Sequence, residues 1–278
     1  MTPADAPACL ATQTETIDNI AIAEDCHVAA VSAALATAKN DLIFFLPPGE
    51  SWSDDFVARI HSVFQTRPEA DVVFCDSAAT SEKRRQNSPE IDVIDLGFSV
   101  VATYTGLDYV ARPLSCFAVR RRIVERILPL VNDPDWVNEP EACLSIAASL
   151  ASARTFHLPL PLVNVAHAAE KPDPTSFAHR LKTMRLIGKI ANQLGLNPDF
   201  VIKFLELEYN SRHKDLATII NYCRLLQQTL PDTRSRRKLL LRMHGAMSER
   251  RGDKSSFGGY LRCWWAKQRL RWTGKLTV

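Results

Sequence analysis

Apolar residues along this chain alternate between short continuous runs and helical spacing, an order that predicts an α/β fold. Residues 28–39 carry small apolar residues at helical spacing, and residues 42–46 form an apolar run that stops at a Pro-Pro-Gly-Glu turn. A run this short, ended by proline and glycine, predicts a buried strand because a helix needs greater length. A second helical pattern follows at residues 56–64, and a second apolar run at residues 72–76.

The same alternation continues through the middle of the chain. An apolar run at residues 114–119 leads into a helix, another helix spans residues 142–151, and a last strand spans residues 155–163. Such alternation predicts a doubly wound, mostly parallel sheet. Beyond it only helical patterns occur, which predicts an α/β domain at residues 1–175 and an α-helical extension at residues 176–278.

Local signals set further boundaries. Ser53 is predicted to be the N-cap of the second helix, with Asp54 and Asp55 in the first turn, where the helix dipole favours anions. Residues 77–95 are polar and predict a surface loop, and residues 19–23 predict a further strand near the N-terminus.

Charge is divided unevenly between the two predicted parts. Residues 1–176 carry 13 Lys and Arg against 24 Asp and Glu, whereas residues 177–278 carry 21 against 7. The basic helical part could meet an anionic lipid, a nucleic acid, a phosphorylated substrate or the acidic part of the same molecule.

The cysteines and the lack of targeting signals bear on the cellular compartment of the protein. The seven cysteines are scattered and contain no Cys-x-x-Cys pair, which favours reduced thiols over a disulfide framework or a zinc site. The first residues lack the pattern of a secretory signal, and no apolar run reaches the ~18 residues of a spanning helix. We therefore expect a cytoplasmic protein, either free or peripheral at the inner face of the membrane.

The order helix, strand, acidic turn, helix, strand over residues 28–76 resembles the core of the family 2 glycosyltransferases of the GT-A fold. In that family the loop after the first apolar strand usually carries Asp-x-Asp-Asp, whereas this chain has Pro47, Pro48, Gly49 and Glu50. The resemblance implies a degenerate metal motif, with Glu50 as the remaining donor- and metal-binding carboxylate. A single glutamate is a poor cage for Mg²⁺ or Mn²⁺. Two interpretations stay open: a carboxylate beside a metal held mainly by phosphates and water, or a plain strand-end turn.

Later motifs match the same family in order. Residues 114–122 look like the strand and helix that precede the family's acceptor site. Residues 138–146 are similar to its Glu-Asp-x-Asp-x-x-Leu-Arg-Leu block, which implies Glu139 as the catalytic base and Glu141 as the following acid. The Leu-Pro-Leu-Pro-Leu run at residues 158–162 matches the next strand. A helix start with proline at its first position would explain the two glutamates without a catalytic role.

Other positions are candidates for donor binding. Asp76 ends a strand, where α/β proteins often bind ligands, and a solvated loop carboxylate is the alternative. His167 lies near a position where family members often have a His or Arg facing the phosphates, and a surface histidine is the alternative. His157 is predicted to be a core or edge residue. Only 46 residues precede Pro47, so the resemblance also implies a shortened N-terminus at the nucleotide end.

The C-terminal segment predicts an amphipathic helix with lysine and arginine beside its apolar face. Such a helix suits an anionic membrane interface, and packing on the protein itself is the equal alternative. Nucleic-acid binding is not expected, because the aromatic residues share one face instead of interleaving with the cations. The apolar face consists of Leu261, Trp264, Trp265, Trp272 and Leu276.

Together the motifs predict transfer of a sugar from a nucleotide-sugar donor to a glycan or lipid-linked acceptor in surface polysaccharide biosynthesis. The alternative is a catalytically inactive relative that binds a glycan or a partner enzyme as a scaffold. The degenerate turn and the short N-terminus favour the alternative, whereas the Glu139 and Glu141 pair favours the enzyme. Inverting transfer needs neutralisation of the departing diphosphate, usually by a divalent metal, and a base for the acceptor hydroxyl.

Overall fold

The computed structural model of the chain describes most of the region between residues 27 and 250. The described residues are 10, 13, 27–78, 93–106, 109–110, 112–165, 176–197, 201, 203–212, 214–229, 233–250, 266 and 268–270. The chain divides into two compact units, Met1–Leu196 and Asn197–Val278. The long helix that follows residue 175 therefore belongs to the first unit.

A mixed sheet forms the centre of the first unit, and the described residues contribute six strands to it. These are β1 (Leu42–Phe44), β2 (Ser51–Trp52), β3 (Val72–Ser77), β4 (Ile94–Gly97), β5 (Phe117–Arg120) and β6 (Thr155–Asn164). Neighbouring strands follow the order β1, β5, β3, β6, β2, and β4 also pairs with β6. β1, β3 and β6 share one direction, and β2, β4 and β5 run the opposite way.

Helices pack on both faces of this sheet, so the predicted α/β fold is confirmed. They are α1 (Val28–Thr37), α2 (Phe56–Thr66), α3 (Val100–Tyr104), α4 (Arg121–Ile127), α5 (Pro140–Leu150) and α6 (Phe177–Gln193). The larger core joins α1, α4, α5 and α6 to one face, and the smaller core joins α2 to the other. In β3, Val72 and Phe74 enter the larger core while Val73 and Cys75 enter the smaller, because successive strand side chains point to opposite faces.

Two local boundaries differ from the sequence prediction. The N-cap of α2 is Asp55 rather than Ser53, and the Ser53 hydroxyl instead donates to Asp55 Oδ1 over 2.9 Å. The end of the predicted loop is also wrong, since Ile94–Gly97 forms β4 and pairs antiparallel with β6. The strand has only four residues and follows a polar segment, and pairing with β6 supplies its hydrogen bonds.

The second unit is helical in its described part, which confirms the predicted helical extension. Its helices include α7 (Leu205–Ser211), α8 (Leu216–Thr229) and α9 (Arg234–Arg250). Glu208 is buried on α7 and accepts a hydrogen bond from the Tyr222 hydroxyl of α8. The apolar core of α8 and α9 includes Ile219, Leu226, Leu240 and Met243.

Among the described residues, no helix combines the length and the apolar character needed to cross a bilayer. Three sequence predictions lie outside the described residues. They concern the strand at residues 19–23, the donor-binding role of His167, and the apolar face of the C-terminal segment.

Candidate functional site

The loop after β1 is a tight turn made by residues 47–50. The Glu50 amide donates to the Pro47 carbonyl over 3.3 Å, and Gly49 has a positive φ of 80°. Proline at the second position and a glycine with positive φ at the third are typical of a type II turn. Backbone geometry thus explains the Pro-Pro-Gly sequence, and only Glu50 brings a carboxylate.

Glu50 is half-buried beside Ser115. Glu50 Oε2 and Ser115 Oγ are both buried, and neither atom has a hydrogen-bond partner among the described residues. Burial raises the pKa of Glu50 above its ordinary value of 4.5, and the nearby Ser115 hydroxyl lowers it by less, although the two oxygens do not meet as a hydrogen bond. Buried polar atoms without partners are uncommon, so this carboxylate is a candidate for ligand contact.

Asp76, near the end of β3, lies in a buried ionic cluster. Its Oδ1 atom is 3.2 Å from His157 Nε2 and 3.3 Å from Arg112 Nη2. The Phe74 ring stacks on the His157 ring at 4.6 Å between centroids, and the Arg112 guanidinium lies 5.7 Å from the Phe74 centroid. Asp76 is only 4% exposed, so the solvated-carboxylate alternative is wrong, and the predicted core position of His157 is confirmed.

Arg112 is the cluster member that solvent and ligands can reach. Its side chain is 26% exposed, whereas that of Asp76 is 6% exposed. The buried carboxylate holds the guanidinium through a charge-assisted contact and leaves other N–H groups of Arg112 for a ligand. Asp76 thus holds the guanidinium from its buried side.

Glu139 and Glu141 lie at the start of α5. Glu139 is the N-cap residue and makes no side-chain cap bond, and Pro140 occupies the first turn. Burial is the main cause that raises the pKa of Tyr109, the two glutamates raise it further, and the Thr183 hydroxyl lowers it. Both carboxylates are therefore close enough to Tyr109 to act on its hydroxyl electrostatically.

One short stretch of chain contributes a residue beside each of the three acidic positions. Tyr109 lies near the α5 glutamates, Arg112 pairs with the β3 carboxylate, and Ser115 lies beside the turn glutamate. Each of these lies three positions after the one before it, so each step spans at most ~11 Å of chain. The stretch runs past the edge where β1 and β3 end and β5 begins, and such edges are the usual ligand sites of α/β sheets.

A metal cage built by the protein does not fit these residues. In the described ranges, no three or more His, Cys, Asp or Glu side chains form a group that could hold a metal ion. Burial favours the protonated form of Glu50, whereas a metal ligand must be deprotonated. Within the described ranges Glu50 has no such group around it, and its role as a metal ligand stays a prediction.

The sequence prediction missed Tyr109, Arg112 and Ser115. Tyr109 and Arg112 lie outside the periodic segments, and Ser115 lies inside a predicted strand, where a single hydroxyl gives no functional signal. The contact between His157 and Asp76 depends on the parallel pairing of β3 with β6, which sets Phe74 opposite His157. The signal for Glu50, Glu139 and Glu141 came from family resemblance, and the signal for Asp76 came from its place at the end of a strand.

Comparisons with known proteins give likenesses to solved structures only. No protein-family model matches the chain, and no curated protein matches it. The solved structures include TarS of S. aureus, with 12% identity and a TM-score of 0.39 over 78% of this chain. This chain spans 39% of the length of that TarS chain.

Two shorter TarS structures, of residues 1–349, hold nucleotide ligands. The complex with UDP-GlcNAc is 10% identical with a TM-score of 0.40, over 94% of this chain and 75% of that one. The complex with UDP is 10% identical with a TM-score of 0.37, over 87% of this chain and 70% of that one. Likenesses at this level assign no activity to the chain.

Proposed function

We propose that the chain is a glycosyltransferase-like protein that binds a nucleotide sugar and transfers its sugar to a glycan or lipid-linked acceptor, as surface polysaccharide synthesis requires. The stretch that carries Tyr109, Arg112 and Ser115 is the main support, because its three residues lie beside three acidic positions in turn and one of them is an accessible cation. A nucleotide sugar has complementary chemistry, with a diphosphate for the cation and sugar hydroxyls for the carboxylates.

In this proposal Arg112 neutralises the departing diphosphate. Its planar guanidinium can bind two phosphate oxygens at once, and Asp76 and Phe74 fix its orientation. A fixed cation of this kind would serve in place of the metal that the Asp-x-Asp-Asp loop holds in the resembling family. Glu50 accepts a hydrogen bond from the donor, and His167 remains a proposed donor contact.

Glu139 is the proposed base. It takes the proton from an acceptor hydroxyl while the hydroxyl oxygen attacks the anomeric carbon of the donor. The bond between that carbon and the diphosphate oxygen breaks, and its electron pair leaves with the diphosphate. Glu141 is the second acidic candidate, and the nearby Tyr109 hydroxyl would orient the base.

Nucleotide binding without a metal is the first test. Thermal-shift and calorimetric titrations with UDP, UDP-GlcNAc and other sugar nucleotides are run in EDTA and in Mn²⁺, with UDP-GlcNAc serving only as a first probe. We expect a ligand that stabilises the protein in EDTA, because binding to the folded state raises its stability. Arg112→Met should weaken that ligand at least about tenfold, as loss of charged hydrogen bonds does.

The matched control is Arg59→Met, since Arg59 is an exposed arginine that pairs with Asp55 on α2. It should bind like the wild type. Binding that requires Mn²⁺, or equal binding by the Arg112→Met and wild-type proteins, would show that the cation role is wrong.

Turnover tests the base. Glu139→Gln keeps the shape of the side chain and removes proton acceptance, so we expect about a hundredfold loss of transfer with unchanged donor binding. Glu125→Gln, on an exposed α4 residue, is the control and should keep full activity. Full activity of Glu139→Gln would move the role to Glu141. Donor binding by the wild type without transfer to any glycan or lipid-linked acceptor would favour the scaffold function.

A further inference from the structure

Helix α6 presents a stripe of large apolar side chains to solvent. Phe177 is 81% exposed, Leu181 is 41% exposed and Met184 is 45% exposed. Their spacing of four and three residues places them within about 60° of one another around the helix axis. Further along the helix, Leu186, Ile187 and Ile190 are buried in the core of the first unit.

Cations border this stripe on both sides. Arg180 and Arg185 are exposed and fall on either edge of the apolar stripe. Neither forms a salt bridge within the described part of the chain. The helix sequence, Phe177–Gln193, contains no Asp or Glu.

The remaining two cations of α6 anchor the helix. Lys182 pairs with Asp135 at 3.3 Å, and Lys189 pairs with Asp133 at 2.6 Å. The Trp136 indole N–H also donates to the backbone oxygen of Lys182 over 3.4 Å. The stripe is therefore held on a fixed element and does not belong to a loose segment.

We propose that the α6 stripe, defined as Phe177, Leu181 and Met184 with Arg180 and Arg185, docks on an anionic lipid bilayer. Apolar side chains of this kind enter the boundary between headgroups and acyl chains, while flanking arginines meet anionic headgroups. The stripe lies on α6 of the first unit, and its docking does not depend on sugar transfer.

A second copy of the chain fits the stripe less well. A two-fold contact would place the arginines of one stripe against those of the other, and like charges at an interface are unfavourable. Three side chains, each able to bury at most ~250 Å², also supply less than the ~800 Å² that a stable partner surface usually buries. A lipid surface has neither requirement.

The stripe also lies on the helix that borders the candidate site. Thr183, on α6, lies near enough to Tyr109 to lower the pKa of that tyrosine, and the α5 glutamates raise it. Docking of α6 would bring that site next to the bilayer surface. If the proposed function holds, this geometry favours a lipid-linked acceptor over a free glycan.

The test is vesicle co-sedimentation of the full chain. Vesicles of pure phosphatidylcholine are compared with an equal mixture of phosphatidylcholine and phosphatidylglycerol, at low and high salt. We expect binding to the anionic vesicles that weakens with salt. Arg180→Gln with Arg185→Gln should weaken it by about fivefold for each arginine removed.

Two variants test whether vesicle binding depends on the stripe or on exposed apolar side chains in general. F177Q/L181Q/M184Q should lose most vesicle binding while melting near the wild-type temperature, because the three side chains are exposed. The control F204Q/L207Q changes two exposed apolar residues of the second unit, 40% and 64% exposed, and should bind like the wild type. Wild-type binding by the stripe variant, equal loss in the control, or no vesicle binding by the wild type would overturn the proposal. A concentration-dependent dimer that only the stripe variant abolishes, without vesicle binding, would assign the stripe to a second copy.

Discussion

The Asp76 cluster makes a sharp prediction about stability. Asp76→Asn keeps the shape of the side chain but removes the charge that faces His157 and Arg112 at 3.2 and 3.3 Å. A hydrogen bond to a charged group contributes ~1.5–3 kcal/mol, and the cluster has two such contacts. Arg112 is 26% exposed and can be rehydrated, which lowers the cost of losing its partner. We therefore expect a loss of about 2–3 kcal/mol.

Calorimetric melting measures this loss. For a unit of this size each kcal/mol lowers Tm by about 2–4 °C, so Asp76→Asn should melt roughly 5–10 °C below the wild type. Asp41→Asn is the matched control, because Asp41 pairs with Arg120 but is 61% exposed. An exposed pair contributes at most ~1 kcal/mol, so the control should stay within about 4 °C.

A double-mutant cycle then tests whether the two charges act as a pair. Asp76→Asn combined with Arg112→Met should cost about 1–2 kcal/mol less than the sum of the single changes, since contacting residues are coupled. The reasoning is refuted if Asp76→Asn melts like Asp41→Asn yet loses nucleotide binding. That result would mean that Asp76 contacts the donor directly and contributes little to the fold.

Three other predictions concern the pKa of Glu50, the reactivity of the buried cysteines, and metal binding at the turn of residues 47–50. Burial raises the pKa of Glu50 above 4.5, so at pH values just above 4.5 the folded state keeps a proton that the unfolded state has released. The folded state is therefore stabilised at low pH, and this stabilisation is lost as the pH rises through the raised pKa. Glu50→Gln should therefore raise Tm at pH 8 and not at pH 4 in melting scans; an equal change at both would contradict the pKa direction. Burial raises the pKa of Cys143 and Cys223 to about 12, and that of Cys75 is raised too. Titration of the native protein with a thiol reagent at pH 8 should find at most three fast thiols among the seven, because four are buried, and more would show that the core opens. Calorimetry of the ligand-free protein should show no micromolar Mn²⁺ binding; tight binding would place metal ligands outside the residues considered.

The sequence by itself determined the layers of the first unit. Short apolar runs ended by turn residues gave β1 and β3, because a strand buried on both faces needs apolar side chains on both. The Pro-Pro-Gly sequence gave the turn before Glu50, because its backbone angles suit that geometry. Glycine and proline act locally, so a local pattern suffices to find them.

Only the tertiary structure decided which side chains meet. β4 was missed because four residues are too few to stand out from the polar segment before them, and the strand forms by pairing with β6. Asp76, His157 and Arg112 lie on separate segments, and they meet because strand register and the path before β5 bring them together. Register is fixed by the summed packing of whole strands, so no local pattern could have placed Arg112 beside Asp76.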